Sequence, residues 1–196
     1  MLADGYLDNT GWALTVRRGL PVDARGQPVP WVTLPFIDFV AARLTPSLRV
    51  FEYGCGNSTL FYATRVAHVD AVEHEAEWFS RMQSQAPANV TIECVPLDRG
   101  GRYARQAENW RRGGGGYDMI VVDGRDRVNC VHSAIRAVND RGCIVLDDSE
   151  RPEYVAGVGA LRESGFRQLD FWGIAPGLSY RKCTSVFYRN DNSLGI

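Results

Sequence analysis

A short apolar run that turns through two glycines directly into a helical segment constrains this chain more than any other feature. The run is Val50-Phe-Glu-Tyr, the turn is Gly54-Cys-Gly, and the helical segment follows from Asn57. The glycines let the backbone turn tightly and approach a ligand, and Asn57 or Ser58 can cap the helix. Free amide groups at such a helix start favour an anionic group. The feature therefore predicts a ligand-binding turn between a strand and a helix.

Strand-like and helix-like segments alternate along the rest of the chain. Strands are expected at 48–53, 68–73, 90–95, 119–123 and 143–147, and helices at 33–44, 58–65, 76–85, 127–138 and 153–164. This alternation, without obvious hairpin turns, predicts a parallel sheet covered by helices on both faces. Two late runs, at 166–172 and 184–188, suit an antiparallel edge. The predicted fold class is α/β: a doubly wound, mostly parallel sheet with an antiparallel edge strand.

Length and local composition predict the domain organisation. The 196 residues fit one domain. Residues 1–30 are rich in Gly, Pro, Asp and Arg and are expected to form an N-terminal arm, followed by the domain at 31–190 and a tail at 191–196. The glycine run at 113–116 predicts a flexible loop.

Charge and cysteine usage narrow the partners and the compartment. The formal net charge is −1, so nothing indicates a polyanionic partner, and nucleic acid is disfavoured. The five cysteines are odd in number and include no C-x-x-C pair, which predicts free thiols in a reducing, cytoplasmic compartment. No signal peptide or long apolar stretch is visible, so no membrane partner is expected.

The acid inside the first strand decides between two kinds of nucleotide ligand. A dinucleotide fingerprint needs a small residue at position 59, where this chain has Thr59, and Glu52 would repel a pyrophosphate. Glu52 suits a cationic ligand instead, and S-adenosylmethionine carries a sulfonium and an ammonium group. The predicted cofactor contacts in this segment are Glu52, Gly54, Gly56, Asn57 and Ser58. The alternative is a glycine turn that only connects two elements.

A second acid ends the next predicted strand. Glu73 is placed to hold both ribose hydroxyls of the cofactor, with Glu75 as the second choice. Glu75 also has a structural explanation, because acids in the first turn of a helix are stabilised by its dipole. His74 follows Glu73 directly and is expected to line the adenine pocket, with a role as catalytic base as the alternative.

The first of these segments resembles motif I of class I S-adenosylmethionine-dependent methyltransferases, which have a Rossmann-like fold, and the acid after the second strand extends the resemblance. More narrowly, four segments between residues 31 and 187 resemble a bacterial group of small methyltransferases: Phe51-Glu-Tyr-Gly-Cys-Gly-Asn-Ser-Thr-Leu, Val72-Glu-His-Glu with Trp78, Asp118-Met-Ile-Val-Val-Asp-Gly and Val145-Leu-Asp-Asp-Ser. The resemblance implies S-adenosylmethionine as the cofactor and leaves the acceptor open.

Three further acids close the fourth and fifth predicted strands. Asp123, Asp147 and Asp148 should converge, because the carboxyl ends of parallel strands share one crevice. They resemble the metal site of catechol and caffeoyl-CoA type O-methyltransferases, which implies Mg²⁺ or another divalent cation at Asp123, Asp147 and Asp148. That family has an Asp-Asn pair where this chain has Asp-Asp. The alternatives are that Asp123 or Asp148 acts without a metal as a general base or substrate hydrogen-bond acceptor, or that the acids are structural and cap Arg127, Arg151 or nearby helix starts.

These features together predict O-methylation of a small hydroxylated metabolite or sugar, with Asp123 and Asp148 as the catalytic residues and Asp123 also as a cofactor contact. Trp31 is expected to cover the cleft as a lid. The alternatives are an RNA or protein methyltransferase and a cofactor-binding protein without catalysis. Whether two chains pair as a homodimer is left open.

Overall fold

One seven-stranded sheet forms the centre of the protein in a computed structural model, which describes residues 5–196 except for the side chains of residues 112–114. The strand order is β3-β2-β1-β4-β5-β7-β6. Strands β1 to β5 run parallel, β7 is antiparallel to β5, and β6 is antiparallel to β7. The bounds are β1 Arg49–Tyr53, β2 His68–Glu73, β3 Val90–Cys94, β4 Tyr117–Val122, β5 Val138–Asp147, β6 Arg167–Gly173 and β7 Lys182–Tyr188. The predicted α/β fold with an antiparallel edge is confirmed.

Helices cover both faces of the sheet because the central strands are apolar on both sides. Along β4, Met119 and Val121 face one core, and Ile120 and Val122 face the other, as the alternation of side chains in a strand requires. The helices are α1 Tyr6–Asn9, α2 Trp12–Arg18, α3 Leu34–Ala41, α4 Asn57–Ala63, α5 Ala76–Gln83, α6 Gln106–Gly114, α7 Arg127–Ala137 and α8 Val155–Glu163, the last preceded by a 3₁₀ turn at Pro152–Tyr154. Helices α3 and α4 pack on the first face, and α6, α7 and α8 on the second.

Helix α6 is the main element that the sequence pattern does not predict. Its sequence is polar overall, and the core takes from it chiefly Ala107, which is buried, and Trp110, whose ring lies 5.8 Å from that of Phe51. Two anchoring residues are too few to produce a clear helical period. The helix extends to Gly114, so it enters the segment 113–116 that was expected to be a loop. The flexibility predicted for that segment stays a prediction, because the side chains of residues 112–114 are outside the described part of the structure.

Both chain ends pack against the domain. From the N-terminal segment, the indole Nε1 of Trp12 donates to the Leu178 carbonyl at 2.8 Å. At the other end, Leu194 is buried, and Ser193 donates to the Asp118 carbonyl at 2.7 Å. Residues 1–4 of the expected arm lie outside the described residues, and the domain boundaries at 30 and 190 stay predictions. No helix within residues 5–196 has the length and apolar character needed to cross a membrane.

Candidate functional site

A cavity of about 410 Å³ opens at the carboxyl ends of β1, β2 and β4. This volume lies within the usual range for small-molecule sites. A second cavity of about 130 Å³ adjoins it. The two cavities share five lining residues: Trp31, Cys55, Ser58, Trp78 and Asp123.

The fold brings most of the predicted site residues to these cavities. The larger cavity is lined by Glu52, Gly54, Ser58, Glu73, His74 and Asp123. The smaller cavity is lined by Gly56, Asn57, Ser58 and Asp123. Parallel pairing explains the convergence, because it places the ends of β1, β2 and β4 at one edge of the sheet. The roles of these residues as cofactor contacts stay predictions.

Glu52 is a buried carboxylate without a cationic partner. Its side chain accepts a hydrogen bond from Thr59 Oγ1 at 2.5 Å, and the Ser58 hydroxyl donates to it as well. Within the described part of the chain Glu52 forms no ion pair, and only 1% of the residue is exposed. Burial raises the pKa of Glu52 to about 7, against the lowering effect of the two hydroxyls. Thr59 is therefore the residue whose hydrogen bond positions Glu52. In the sequence, Thr59 stood out only as a departure from the dinucleotide fingerprint.

The helix that follows the glycine turn begins differently from the expected pattern. Asn57 is the first residue of α4, and neither Asn57 nor Ser58 caps it. Instead Asn57 Nδ2 donates to the Pro21 carbonyl at 2.7 Å, and the Gly56 amide donates to Thr59 Oγ1 at 3.0 Å. The expected cap is therefore wrong: the Asn57 side chain ties the N-terminal segment to the turn.

Two glycines allow the ends of β1 and β4 to approach each other. Gly54 has a φ of +93°, which favours glycine. A Cβ atom on Gly124 would lie 2.2 Å from Tyr103 Oη and 3.0 Å from the Gly54 amide nitrogen. Gly124 lines the larger cavity and was not among the predicted residues, although a glycine directly after a strand-ending acid is a signal that could have found it.

Glu73 organises the backbone on its side of the cavity. Its Oε1 accepts hydrogen bonds from the amides of His74 and Glu75 at 2.7 and 2.9 Å, and its Oε2 accepts one from the Cys55 amide at 3.2 Å. His74 Nδ1 also lies 2.7 Å from Oε1. Oε2 thus keeps more free capacity for a hydroxyl ligand. Glu75 is exposed to solvent and does not line the cavity, and these two observations favour Glu73 as the ribose ligand.

Asp123 lies where the two cavities meet, and Arg127 holds it there. Arg127 Nη2 donates to Asp123 Oδ1 at 2.9 Å, which confirms the pairing offered as an alternative. Desolvation and the neighbouring Asp147 raise the pKa of Asp123, while Arg127 and Lys182 oppose the rise. The carboxyl group is 22% exposed. It therefore combines access to the cavities with a raised pKa, which suits a proton acceptor.

The predicted metal site is not found at Asp123, Asp147 and Asp148. Lys182 Nζ lies 2.5 Å from Asp147 Oδ2 and 2.8 Å from Asp148 Oδ1, and Arg127 and Arg151 also form ion pairs with Asp148, so side-chain cations already balance these acids. Across residues 5–196 no three side chains of the metal-ligating types are grouped to hold an ion. Asp147 and Asp148 also lie outside the linings of both cavities, so the structure does not bring Asp148, predicted as catalytic, together with Asp123 at the cleft.

Two tryptophans form walls of both cavities. Trp31, predicted as a lid, is 44% exposed, and its Nε1 donates to the Pro176 carbonyl at 2.9 Å. Trp78 donates to the Cys55 carbonyl at 2.6 Å. Arg125 also lines the larger cavity, and sequence reasoning did not single it out because nothing in its local pattern separates it from the many surface arginines.

Comparisons with known proteins agree with this architecture. Neither a protein-family model nor a curated protein matches the sequence. Among solved structures, the chain is similar to a precorrin-6y C5,15-methyltransferase from Geobacter metallireducens GS-15, with a TM-score of 0.60 and 13% identity over 80% of this chain and 88% of that one. The fold is that of the Rossmann-like methyltransferases.

Two further structures extend this likeness. One is a methyltransferase-like protein from Silicibacter pomeroyi DSS-3, with a TM-score of 0.56 and 19% identity over 83% of this chain and 89% of that one. The other, from Streptococcus mutans, is assigned to the methyltransferases and is in complex with S-adenosylhomocysteine. Its TM-score is 0.57, with 10% identity over 78% of this chain and 94% of that one. Identities this low establish the fold, and the activity has to be argued from the site.

Proposed function

We propose that this methyltransferase-fold protein is an S-adenosylmethionine-dependent enzyme that methylates a hydroxyl group of a small metabolite or sugar. The observation that carries the proposal is the pair of buried carboxylates, Glu52 and Glu73, on one cavity of ligand size. A buried carboxylate without a counter-ion is costly, and a cationic ligand removes that cost. S-adenosylmethionine has the matching charge.

The residues present fit this cofactor in three respects. Glu52 would face its positively charged part, the glycines at 54 and 56 allow close approach of the backbone, and Glu73 Oε2 has capacity for the ribose hydroxyls. The cofactor, when bound, supplies an electrophilic methyl group. His74, whose ring lies 6.0 Å from that of Tyr103, would contribute to the adenine end of the site.

The acceptor would meet the cofactor beside Asp123. The smaller cavity, bounded by Leu20, Pro21 and Trp31, suits a small acceptor group. Asp123 would take the proton of the acceptor hydroxyl as its oxygen attacks the methyl group, and Arg127 would keep the carboxylate oriented. This is the metal-free version of the two reaction schemes that the sequence allows, and no step in it uses Asp147 or Asp148.

A macromolecular acceptor is the second candidate. Similar structures include an rRNA methylase from Streptococcus thermophilus and a ribosomal protein L11 methylase from Lactobacillus delbrueckii. The net charge of −1 and the small second cavity favour a small acceptor over RNA or protein.

We further propose that the enzyme works in the cytoplasm, an assignment supported by the free state of all five cysteines among the described residues. Pairing of two chains into a homodimer is also a proposal, and the molar mass of the protein in solution would test it.

Calorimetric titration tests the cofactor class directly. We expect S-adenosylmethionine and S-adenosylhomocysteine to bind, and NAD⁺ not to bind, with the sulfonium form binding more tightly above pH 7 because Glu52 is then ionised. The affinity for S-adenosylmethionine should be the same whether the buffer contains EDTA or Mg²⁺. Protein that ignores both sulfur ligands would contradict the proposal.

Asp123→Asn is expected to separate cofactor binding from chemistry. It removes the proton acceptor but keeps a side chain of the same shape, so affinity for S-adenosylhomocysteine should stay within about threefold while methyl transfer falls by 10² or more. Release of S-adenosylhomocysteine can be measured over a panel of small hydroxylated compounds, with Glu75→Gln as the control on an exposed neighbour. Undiminished turnover in Asp123→Asn would rule out its role as the base.

A further inference from the structure

A cluster of buried charges lies behind Asp123, away from the cavities. Its acids are Asp147 and Asp148, which are 1% and 4% exposed, and its central cation is Lys182, which is 3% exposed. We propose that the Lys182 ammonium group is a built-in counter-ion in the place that a divalent cation would need, and that it fixes the proton acceptor Asp123 through Arg127.

The contacts of Lys182 are those of a compact point charge. Its Nζ lies 2.5 Å from Asp147 Oδ2 and 2.8 Å from Asp148 Oδ1, so one atom bridges two carboxylates. Asp147 Oδ1 also accepts a hydrogen bond from Thr184 at 2.7 Å. An ammonium group satisfied in this way is stable in the interior, whereas removal of the lysine leaves the buried Asp147 carboxylate without a cationic partner among the described residues.

The residue type supports the same conclusion. Of the 22 basic residues in the sequence, Lys182 is the only lysine. Arginine presents a planar fork that suits bidentate contacts, and lysine presents a compact charge that can sit between two carboxylates. A chain that otherwise uses arginine thus has its single lysine at the one described site where a compact buried cation bridges two acids.

The antiparallel strand explains how the lysine reaches this point. The carboxyl ends of β4 and β5 lie at the functional edge of the sheet, and only an antiparallel neighbour starts there. Thr184 of β7 pairs with Asp147 at the end of β5, so Lys182 at the start of β7 is delivered beside the acids.

Arg127 connects this cluster to the cavity. Its Nη1 donates to the Asp147 carbonyl at 2.5 Å and contacts Asp148 Oδ2 at 3.3 Å, while its Nη2 donates to Asp123 Oδ1 at 2.9 Å. One planar guanidinium group therefore contacts both the lysine-held acids and the cavity acid. Lys182 and Arg127 are positioning residues in this scheme, and neither touches the reacting atoms.

Thermal melting tests the counter-ion role. Wild-type Tm should not respond to millimolar Mg²⁺, Mn²⁺ or EDTA. Lys182→Met should lower Tm by roughly 10 °C, because the buried Asp147 carboxylate loses its one cationic partner among the described residues, while Asp148 keeps Arg127 and Arg151. Lys182→Met/Asp147→Asn, which removes one acid together with the lysine, should recover at least half of that loss and should remain folded. A wild-type Tm that rises with Mg²⁺ or falls with EDTA would overturn the proposal, as would a double variant no more stable than Lys182→Met.

Aspartate ¹³C NMR tests the link to Asp123 with a readout that a merely structural role would not move. In the complex with S-adenosylhomocysteine, the Asp123 carboxyl signal, assigned by its loss in Asp123→Asn, should titrate at higher pH in Lys182→Met/Asp147→Asn than in Asp147→Asn, which also lacks the Asp147 charge but keeps the lysine. The reason is that Lys182 lowers the pKa of Asp123. An unchanged midpoint would refute the positioning role. Neither the thermal melting nor the NMR titration uses a methyl acceptor. Both measurements therefore still test the role of Lys182 if the protein fails to methylate the compounds of the panel.

Discussion

Glu52→Gln is expected to stabilise the unliganded protein and to weaken its binding of S-adenosylmethionine. Burial raises the pKa of Glu52 from the ordinary 4.5 to about 7 in the folded protein. An acid whose pKa is raised by folding favours the folded state below its ordinary pKa, and that contribution is lost as the pH rises through 7. Glutamine carries no charge, can still accept the hydrogen bond from Thr59, and escapes this loss.

The size of the effect follows from the shift in pKa. The two proteins should be equally stable near pH 4.5, and the variant should be more stable by about 3 kcal/mol above pH 7. Affinity should change in the opposite sense: wild-type binding of S-adenosylmethionine weakens by up to tenfold per pH unit below 7, whereas the variant binds weakly at every pH.

Denaturant unfolding from pH 5 to 8 and calorimetry at the same pH values measure both effects. Glu75→Gln, on an exposed acid nearby, is the matched control and should change neither quantity. If Glu52→Gln were less stable than wild type at pH 8, the carboxylate would have a cationic partner in solution, and the basis for a cationic ligand would disappear.

Arg127→Met is expected to cause a large loss of stability. The guanidinium group is 10% exposed and donates to the carbonyls of Gly124, Asp123 and Asp147 as well as to the Asp123 carboxylate. Its removal takes the ion-pair partner from the Asp123 carboxylate and a donor from three carbonyls, which costs about 3–5 kcal/mol and lowers Tm by roughly 10 °C.

Arg141→Met is the matched control for that measurement. Arg141 forms an ion pair with Asp191 at 2.8 Å, but the two side chains are 68% and 79% exposed. Exposed pairs contribute little, so the control should lower Tm by no more than about 2 °C. Equal losses in the two variants would mean that the Arg127 contacts are not maintained in solution.

The sequence alone supports the fold and the larger part of the cleft. Apolar runs separated by helical periods predict parallel strands, and each strand-ending acid then has to lie at the same edge. This is why the sequence predicts that Glu52, Glu73 and Asp123 lie together, and they do line one cavity. Glycines 54 and 56 predict the turn between β1 and α4 directly, because the position of that turn along the chain is local information.

Only the tertiary structure decides what these acids contact. Thr59 reaches Glu52 from the first turn of α4, and Lys182 reaches Asp147 from an antiparallel strand 35 residues away along the chain. The sequence predicted a divalent metal ion at Asp123, Asp147 and Asp148, whereas the structure places the ammonium group of Lys182, a side-chain cation from a distant strand, beside Asp147 and Asp148. The kind of cation depends on which strand end packs beside β5, and that is determined by the pairing of the whole sheet.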